Sequence, residues 1–265
     1  MYAAVTRTSR SKGVQNTPEV NKFVDWAKKR MRSWLKPVGF DLNDIFQRAA
    51  DYVTNTNKSR AVKQKYLNGI LDLFDKRGVR ATTLTCHTKS EVLPAGGLPR
   101  KIDPREDTLR NLSAVIYEAV MDQVYQHPMM IKNMAPDQVS KKILEATSKY
   151  GYTLSTDISS YDAAQQGRIN EIEEEAIRII TGEQATQLWK AIVHNIGDTR
   201  SGKGDFRMLY TCCRGSGEMS TALTNALLHV LIVEYATQGR VCSSVIEGDD
   251  GCHSMPDPQT ADVIV

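Results

Sequence analysis

Two adjacent aspartates near the end of the chain lie where they could do chemistry. Asp249 and Asp250 are flanked by Gly248 and Gly251, and they follow the β-branched stretch 241–246. Residues 252–255 could return as a second strand, so the pattern predicts a hairpin with two carboxylates at its tip. Aspartate and glycine also favour turns for backbone reasons alone, so the same four residues are equally typical of an ordinary turn.

A second pair of aspartates follows another predicted strand. Asp157 and Asp162 are five residues apart and come directly after residues 152–156, which have the composition of a buried strand. If the chain turns between them, both could reach one site. Carboxylates are the side chains that Mg²⁺ prefers. Taken alone, this spacing is also typical of a helix cap or a turn.

A glycine-rich loop and the helix after it carry a third group of polar residues. The helix is predicted from Glu218 to about Thr237, and Ser216 and Gly217 precede it. Thr221 and Asn225 are four residues apart, so they share one helix face. A flexible loop that opens a helix lets the backbone approach a nucleic acid strand or a phosphate, although an ordinary N-cap would look the same.

Four cations in the first half could bind phosphate. Lys89 lies on one extended segment, and Arg100, Lys101 and Arg105 lie on another, with a Gly-Gly loop between the two. Guanidinium groups on extended chain can present their donors to phosphate oxygens.

The elements that position these residues are mostly helices in the first half. Apolar residues recur at helical spacing from Pro18, and Asp41 or Asn43 could cap the next helix. In the second half we expect acidic helices at about 165–181 and 183–196, with the glutamates of 171–175 on a solvated face. The stretch 197–204 is predicted to be turn-rich.

Composition and charge limit the class of protein. The apolar fraction of 41% and charged fraction of 25% are ordinary for a globular chain. No apolar run approaches the ~18–20 residues that span a bilayer, and five cysteines without a Cys-x-x-Cys pair make a zinc site an unattractive hypothesis.

Residues 1–110 carry a net charge of +11 and the remainder −8. This asymmetry favours a polyanion-binding region joined to a region that concentrates carboxylates, unless surface charge merely drifts along the chain.

Taken together and in order, these motifs resemble the palm of RNA-directed RNA polymerases from positive-strand RNA viruses. Asp157 to Asp162 matches Asp-x4-Asp, and Gly248 to Asp250 matches Gly-Asp-Asp. The intervening motif Ser-Gly-x3-Thr-x3-Asn is satisfied at four positions: Ser216, Gly217, Thr221 and Asn225. The basic segments 89–91 and 99–105 are similar to the fingers motif of the tombusvirus- and nodavirus-like groups.

The resemblance implies a two-metal nucleotidyltransferase. Two Mg²⁺ ions, with Mn²⁺ as an alternative, would be held by Asp157 and Asp249 with Asp250 as an auxiliary. Because three carboxylates repel one another, we expect a metal-dependent site. Asp162, Asn225 and Thr221 would sense the ribose 2′-hydroxyl. Ser216 and Gly217 would adjust the template and nascent pair, while the four cations (Lys89, Arg100, Lys101, Arg105) would neutralise the incoming triphosphate.

The implied architecture is an α+β right-hand polymerase fold. We expect a basic arm over 1–17, a helical fingers region over 18–150, and a palm over 151–265 with a small antiparallel sheet and packing helices. The family's thumb is missing after Asp250, so a fragment of a longer viral protein is expected. RNA template and product, ribonucleoside triphosphates and other viral replication proteins are the implied partners. The implied location is a membrane-associated replication complex in the host cytoplasm, with no membrane segment in this chain.

Two other functions remain as alternatives. The basic first part and the missing thumb would also suit a non-catalytic RNA-binding piece of a polymerase with an inert palm. A reverse transcriptase would prefer deoxyribonucleotides, and in that family an aromatic residue occupies the ribose gate while a Tyr-x-Asp-Asp motif replaces Gly-Asp-Asp. The present sequence favours ribonucleotides.

Overall fold

The structure, a computed structural model, is helix-rich, and the residues that it describes form two small sheets. It describes residues 16–75, 83–88, 101–102, 107–158, 161, 165, 167–193, 197–201, 207–210, 219–238, 240 and 242–262. The helices are α1 (Pro18–Met31), α2 (Leu42–Asn55), α3 (Arg60–Asp75), α4 (Asp107–Val124), α5 (Pro136–Thr147), α6 (Asn170–Thr181), α7 (Glu183–Val193), α8 (Thr221–Thr237) and α9 (Pro258–Asp262). The strands are β1 (Thr83–Thr88), β2 (Lys101–Ile102), β3 (Tyr152–Asp157), β4 (Gly197–Ser201), β5 (Arg207–Tyr210), β6 (Ser243–Glu247) and β7 (Asp250–Met255).

Side-chain caps fix where the first helices begin. The Thr17 hydroxyl accepts a hydrogen bond from the backbone N–H of Val20 at 3.2 Å, and Pro18 supplies the first helical residue. Asp41 accepts from the backbone N–H of Asp44 at 2.7 Å, so of the two predicted caps Asp41 is the one used. Each cap satisfies a donor that has no partner inside its own helix.

The larger of two hydrophobic clusters in the described residues joins α1–α4 and α6–α8 to the sheet that carries the aspartates. It extends from Phe23 in α1 to Ile246 in β6, and Trp189 of α7 is fully buried within it. Helix α8 is buried on nearly every side, as expected of a helix that is apolar all round. The core crosses the predicted boundary at residue 150, and that division into fingers and palm stays a prediction.

The three-stranded sheet is antiparallel, with β7 between β3 and β6. The outer edge of β6 is covered, because the backbone N–H of Ile246 donates to the carbonyl of Met129 at 2.8 Å. The N–H of Ile131 in turn donates to the carbonyl of Ile246 at 3.3 Å. The predicted small antiparallel sheet and packing helices are therefore present. The right-hand arrangement of fingers and palm stays a prediction.

A four-stranded sheet, in the order β2-β1-β4-β5, corrects one prediction. The stretch 197–204 was expected to be turn-rich, yet residues 197–201 form β4. This strand pairs in parallel with β1 and antiparallel with β5. A strand with partners on both edges obtains its hydrogen bonds from the tertiary structure, so weak local propensity does not prevent it.

The glutamates of α6 correct another prediction, because two of them are buried. Glu173 is 5% exposed and accepts a hydrogen bond from the hydroxyl of Tyr117 at 3.2 Å. Glu175 is 4% exposed and accepts from Arg32 Nε at 2.9 Å. Burial of a carboxylate is tolerated here because each is hydrogen-bonded. The expectation of a solvated face over 171–175 was wrong for these two residues.

Cations of α1 and of its C-cap residue, Arg32, bind glutamates in the acidic second half of the chain. Lys28 pairs with Glu171, Arg30 with Glu234 and Arg32 with Glu175. Part of the charge asymmetry in the sequence is thus internal ion pairing between segments far apart in the chain. The +11 of the first part is therefore not all open to a polyanion.

Over the described ranges, none of the helices combines the length and the apolar character needed to cross a lipid bilayer.

Candidate active site at one end of the three-stranded sheet

The three-stranded sheet brings the two aspartate motifs together at one end of its strands. Asp157, the last residue of β3, pairs in register with Asp250, the first residue of β7. Residues directly opposite in an antiparallel pair have Cβ atoms roughly 4.5–5.5 Å apart. Asp249 lies in the turn that leads into β7. Two aspartates more than 90 residues apart in the sequence are therefore cross-strand neighbours, and Asp249 directly precedes one of them in the chain.

The turn between β6 and β7 has two residues, Gly248 and Asp249, because Glu247 pairs directly with Asp250. Gly248 has a φ of +66°, and Asp249 is not among the residues with positive φ. Glycine with positive φ at the first central position is what a type II′ hairpin turn requires, and its twist matches that of the flanking strands. The hairpin predicted from the sequence is confirmed, and its turn presents Asp249 at the tip.

These carboxylates suit a divalent cation. Among the described residues none of the three forms an ion pair with a lysine or arginine. Like charges directly opposite in a sheet are destabilising, and no ion pair from the described residues compensates those of Asp157 and Asp250. No cluster of three or more metal-binding side chains occurs in the same described ranges. A divalent cation held by these carboxylates would need further oxygen ligands from water or substrate.

A buried hydroxyl beside Asp249 also has no partner in the described part of the chain. Tyr161 is 5% exposed, and its hydroxyl oxygen is buried without a hydrogen bond. Burial, and then the charge of Asp249, raise the pKa of the Tyr161 phenol well above its ordinary value. The hydroxyl therefore stays protonated and can donate a hydrogen bond. A buried donor without a partner, next to a carboxylate, is suited to bind the oxygen atom of a water or of a substrate.

Two buried histidines beneath the aspartates were not identified from the sequence. His229 of α8 is 2% exposed and His253 of β7 is fully buried, with ring centroids 5.5 Å apart. Burial lowers the pKa of His229, opposed by its hydrogen bond to the Gly248 carbonyl and by the charges of Asp249 and Asp250. Burial and then the proximity of His229 lower the pKa of His253 to about 4. The one signal in the sequence was a histidine in the apolar middle of a helix, between Leu228 and Val230.

Gly251 is required by the close approach of these histidines. A Cβ atom at residue 251 would lie 2.6 Å from His229 Cε1, 2.7 Å from His253 Nε2 and 2.7 Å from Thr156 Oγ1. All three distances are shorter than side-chain packing allows. The sequence suggested a turn glycine, whereas this residue lies inside β7 and makes room for the imidazoles.

Asn225 occupies a buried position on the first turns of α8. It is 4% exposed, and its side-chain oxygen accepts a hydrogen bond from the amide of Gln165, which is 1% exposed. Thr221 is the first residue of the same helix and is half-buried. A carboxamide whose oxygen is bound in this way has its orientation fixed by the network around it. Gln165 was not singled out in the sequence.

Several predicted site residues lie outside the described residues: Asp162, Ser216, Gly217, Lys89, Arg100 and Arg105. The backbone of Lys101 is described and pairs with Thr88 across β1 and β2. The roles given to these residues stay predictions.

Comparisons with known proteins agree with the sequence motifs. A family profile described as viral RNA dependent RNA polymerase matches residues 3–260. The RNA-directed RNA polymerase of Panicum mosaic virus (strain United States/Kansas 109S) is 26% identical over 174 residues, which are 62% of this chain and 17% of that protein. The matched region is thus well under two thirds of that relative's length. Since the profile covers nearly all of the sequence, the predicted resemblance is confirmed: the chain belongs to the viral RNA-dependent RNA polymerase family.

Proposed function

We propose that the polymerase containing this chain transfers ribonucleotides to an RNA 3′-hydroxyl under the direction of an RNA template, in viral genome replication. The observation that carries the proposal is the pairing of Asp157 with Asp250 in register, with Asp249 in the adjoining turn. Carboxylates brought together without a cation from the described residues are what a divalent-metal nucleotidyltransferase needs. Family membership supports the same reaction.

The three carboxylates would have different roles at the reacting phosphate. Two Mg²⁺ ions, or Mn²⁺ in their place, would when bound neutralise charge on the attacking and leaving oxygens. Asp157 and Asp249 would hold both, with Asp250 as the auxiliary carboxylate. The Tyr161 hydroxyl, protonated and buried beside Asp249, can donate a hydrogen bond to a water or substrate oxygen.

Selection of ribose would rest on Asn225 together with Asp162 and Thr221. Asn225 is buried, and its amide is oriented by Gln165. A buried polar site made to bind a hydroxyl rejects an analogue that lacks it, because its own groups would be left unpaired. Ribonucleotides would therefore be preferred over deoxyribonucleotides.

The remaining predicted residues would handle template and triphosphate. Ser216 and Gly217 would contact the template and nascent pair, and four cations (Lys89, Arg100, Lys101, Arg105) would bind the triphosphate. Other viral proteins and a membrane-associated complex in the host cytoplasm would be the setting. The non-catalytic alternative is weakened, because Lys28, Arg30 and Arg32 bind glutamates within the chain.

The experiment is ribonucleotide incorporation on an RNA template with Mg²⁺, using the complete viral polymerase that contains this chain. Wild type is compared with Asp249→Ala and with Asp51→Ala, an exposed aspartate on α2, and rNTPs are compared with dNTPs. We expect rNTP-selective incorporation that Asp249→Ala abolishes and Asp51→Ala retains. RNA binding by wild type without incorporation would instead favour the RNA-binding alternative. A preference for dNTPs would favour a reverse transcriptase.

A further inference from the structure

A continuous chain of hydrogen bonds runs beneath the aspartates and ends on their turn. It begins at Cys242 Sγ, 3.2 Å from Ser244 Oγ, which is 3.0 Å from His253 Nδ1. His253 Nε2 is 3.0 Å from Thr156 Oγ1, which is 3.2 Å from His229 Nε2. His229 Nδ1 then lies 3.3 Å from the carbonyl oxygen of Gly248. The chain of hydrogen bonds links four elements, namely β3, β6, β7 and α8, to the turn.

The Gly248 carbonyl at the end of the network determines which group donates in each hydrogen bond. A carbonyl oxygen only accepts, so His229 must donate from Nδ1–H. A neutral imidazole has one N–H, so His229 Nε2 accepts from the Thr156 hydroxyl. That hydroxyl accepts from His253 Nε2–H, whose Nδ1 then accepts from Ser244.

With both rings neutral, these bonds fix each ring in one tautomer. Burial lowers the pKa of each histidine, which agrees with the neutral form. His229 carries its proton on Nδ1 and His253 on Nε2. In this state each member of the network from Ser244 to His229 has a donor and an acceptor partner, so a buried polar network is satisfied without a charge. The Thr156 hydroxyl also lies 3.5 Å from the carbonyl oxygen of Gly251, which is a longer contact than the bond to His229.

The network contacts residues adjacent to all three carboxylates. Thr156 directly precedes Asp157, Gly248 directly precedes Asp249, and Gly251 directly follows Asp250. The lack of a side chain at Gly251 lets both imidazoles approach the sheet. The bond to Gly248 is the one that reaches the turn itself.

We infer that His229 is a positioning residue, whose Nδ1–H holds the Gly248 carbonyl and so fixes the turn that presents Asp249 beside Asp157 and Asp250. The inference rests on the proposed function for its consequence in catalysis. Groups that orient metal-binding side chains are worth roughly 10–100-fold in metal affinity or activity. His229 touches no reacting atom, and its effect passes through Asp249.

Two substitutions of His229 test the roles of its two ring nitrogens separately. In His229→Asn the side-chain amide can take the place of Nδ1–H and donate to Gly248, while the contact with Thr156 is lost. In His229→Gln the amide reaches toward Thr156 instead, and the donor at the Nδ1 position is lost. Ser244→Ala serves as a network control, because it breaks the chain at the end remote from the turn.

The experiment uses the complete polymerase with RNA bound and measures Mn²⁺ affinity by electron paramagnetic resonance, beside the rate of ribonucleotide incorporation. We expect His229→Gln to weaken Mn²⁺ binding and slow incorporation by at least about 10-fold, as loss of an orienting group should. His229→Asn should recover most of both, and Ser244→Ala should lower thermal stability while Mn²⁺ affinity stays within about twofold of wild type.

Equal behaviour of the Gln and Asn variants would overturn the inference, whether both bind Mn²⁺ normally, both bind it weakly or both fail to fold. Circular dichroism establishes the fold of each variant. If wild type binds Mn²⁺ but incorporates nothing, the proposed function fails, while the comparison of Mn²⁺ affinities still decides the role of His229.

Discussion

Asp157 and Asp250 are direct cross-strand neighbours, the last residue of β3 against the first residue of β7. Their pairing concentrates like charge at the end of a sheet, where among the described residues no lysine or arginine offsets it. Such a pair opposes folding and favours binding of a cation. Stability and function are therefore expected to respond in opposite directions to loss of one carboxylate.

Asp157→Asn should separate these two responses. Removal of one like charge from a cross-strand pair should raise the free energy of unfolding by about 0.5 kcal/mol in EDTA. Ribonucleotide incorporation should be lost, because a carboxylate ligand is gone. Chemical denaturation with and without Mg²⁺ measures the first effect, and the stabilisation relative to wild type should shrink when Mg²⁺ is present. A variant that is less stable in EDTA would contradict the electrostatic argument.

Arg30→Ala should destabilise the contact between α1 and α8. Arg30 donates to both carboxylate oxygens of Glu234, at 2.8 and 2.7 Å, and Glu234 is 14% exposed. Loss of a charge-assisted pair at a partly buried site should cost about 2 kcal/mol at pH 7. The matched control is Lys132→Ala, whose exposed pair with Glu247 should contribute less than about 1 kcal/mol. Urea denaturation midpoints measure both.

The same pair should make stability depend on pH in a defined window. Desolvation by itself would raise the pKa of Glu234, but hydrogen bonds and charges from His127 and Arg30 outweigh it and lower the pKa to about 2. Because the folded pKa is below the unfolded value, the stabilisation is present above about pH 4.5 and is lost as pH falls toward 2. The difference in unfolding free energy between wild type and Glu234→Gln should therefore narrow over that range. A difference that stays constant down to pH 2 would exclude this linkage.

Gly251→Ala should disrupt the packing beneath the aspartates. The new methyl group would lie 2.6 Å from His229 and 2.7 Å from both His253 and Thr156. Overpacking of this kind costs typically about 1–3 kcal/mol, and the displaced imidazole should also slow incorporation. Gly151→Ala is the control, because no atom lies within 4 Å of the Cβ position and its φ is not positive. Thermal unfolding of the two variants measures the contrast, and equal melting temperatures would argue against the tight fit.

Gln165→Ala should weaken discrimination against deoxyribonucleotides. Gln165 donates to the side-chain oxygen of Asn225, and both residues are buried. A loosely held Asn225 should sense the ribose less well, so the ratio of kcat/KM for rNTP to that for dNTP should fall by about 10-fold. The control is Gln187→Ala on the exposed side of α7. If the kcat/KM ratio is unchanged in Gln165→Ala, Gln165 takes no part in sugar selection.

Local sequence determined much of the secondary structure. Helices at Pro18 and after Asp41 were predicted from apolar spacing and caps, and the hairpin at Gly248 from its turn residues. Interactions within a few residues decide such features, so they can be read from a short window. By contrast, β4 and the burial of Glu173 were missed, because β1, which is one of the two partners of β4, and Tyr117, which binds Glu173, are distant in the chain.

The sequence by itself determined the family, since three short motifs in order identify it, and it determined which carboxylates belong to those motifs. Only the tertiary structure decided that Asp157 faces Asp250 rather than Asp249, because strand register depends on how the whole sheet packs. The tertiary structure likewise decided that His229, His253 and Gln165 lie beneath or beside the motif residues. Apart from the apolar neighbours of His229, these side chains carry no local pattern of their own. Their burial and hydrogen bonds exist only when α8, β3 and β7 meet.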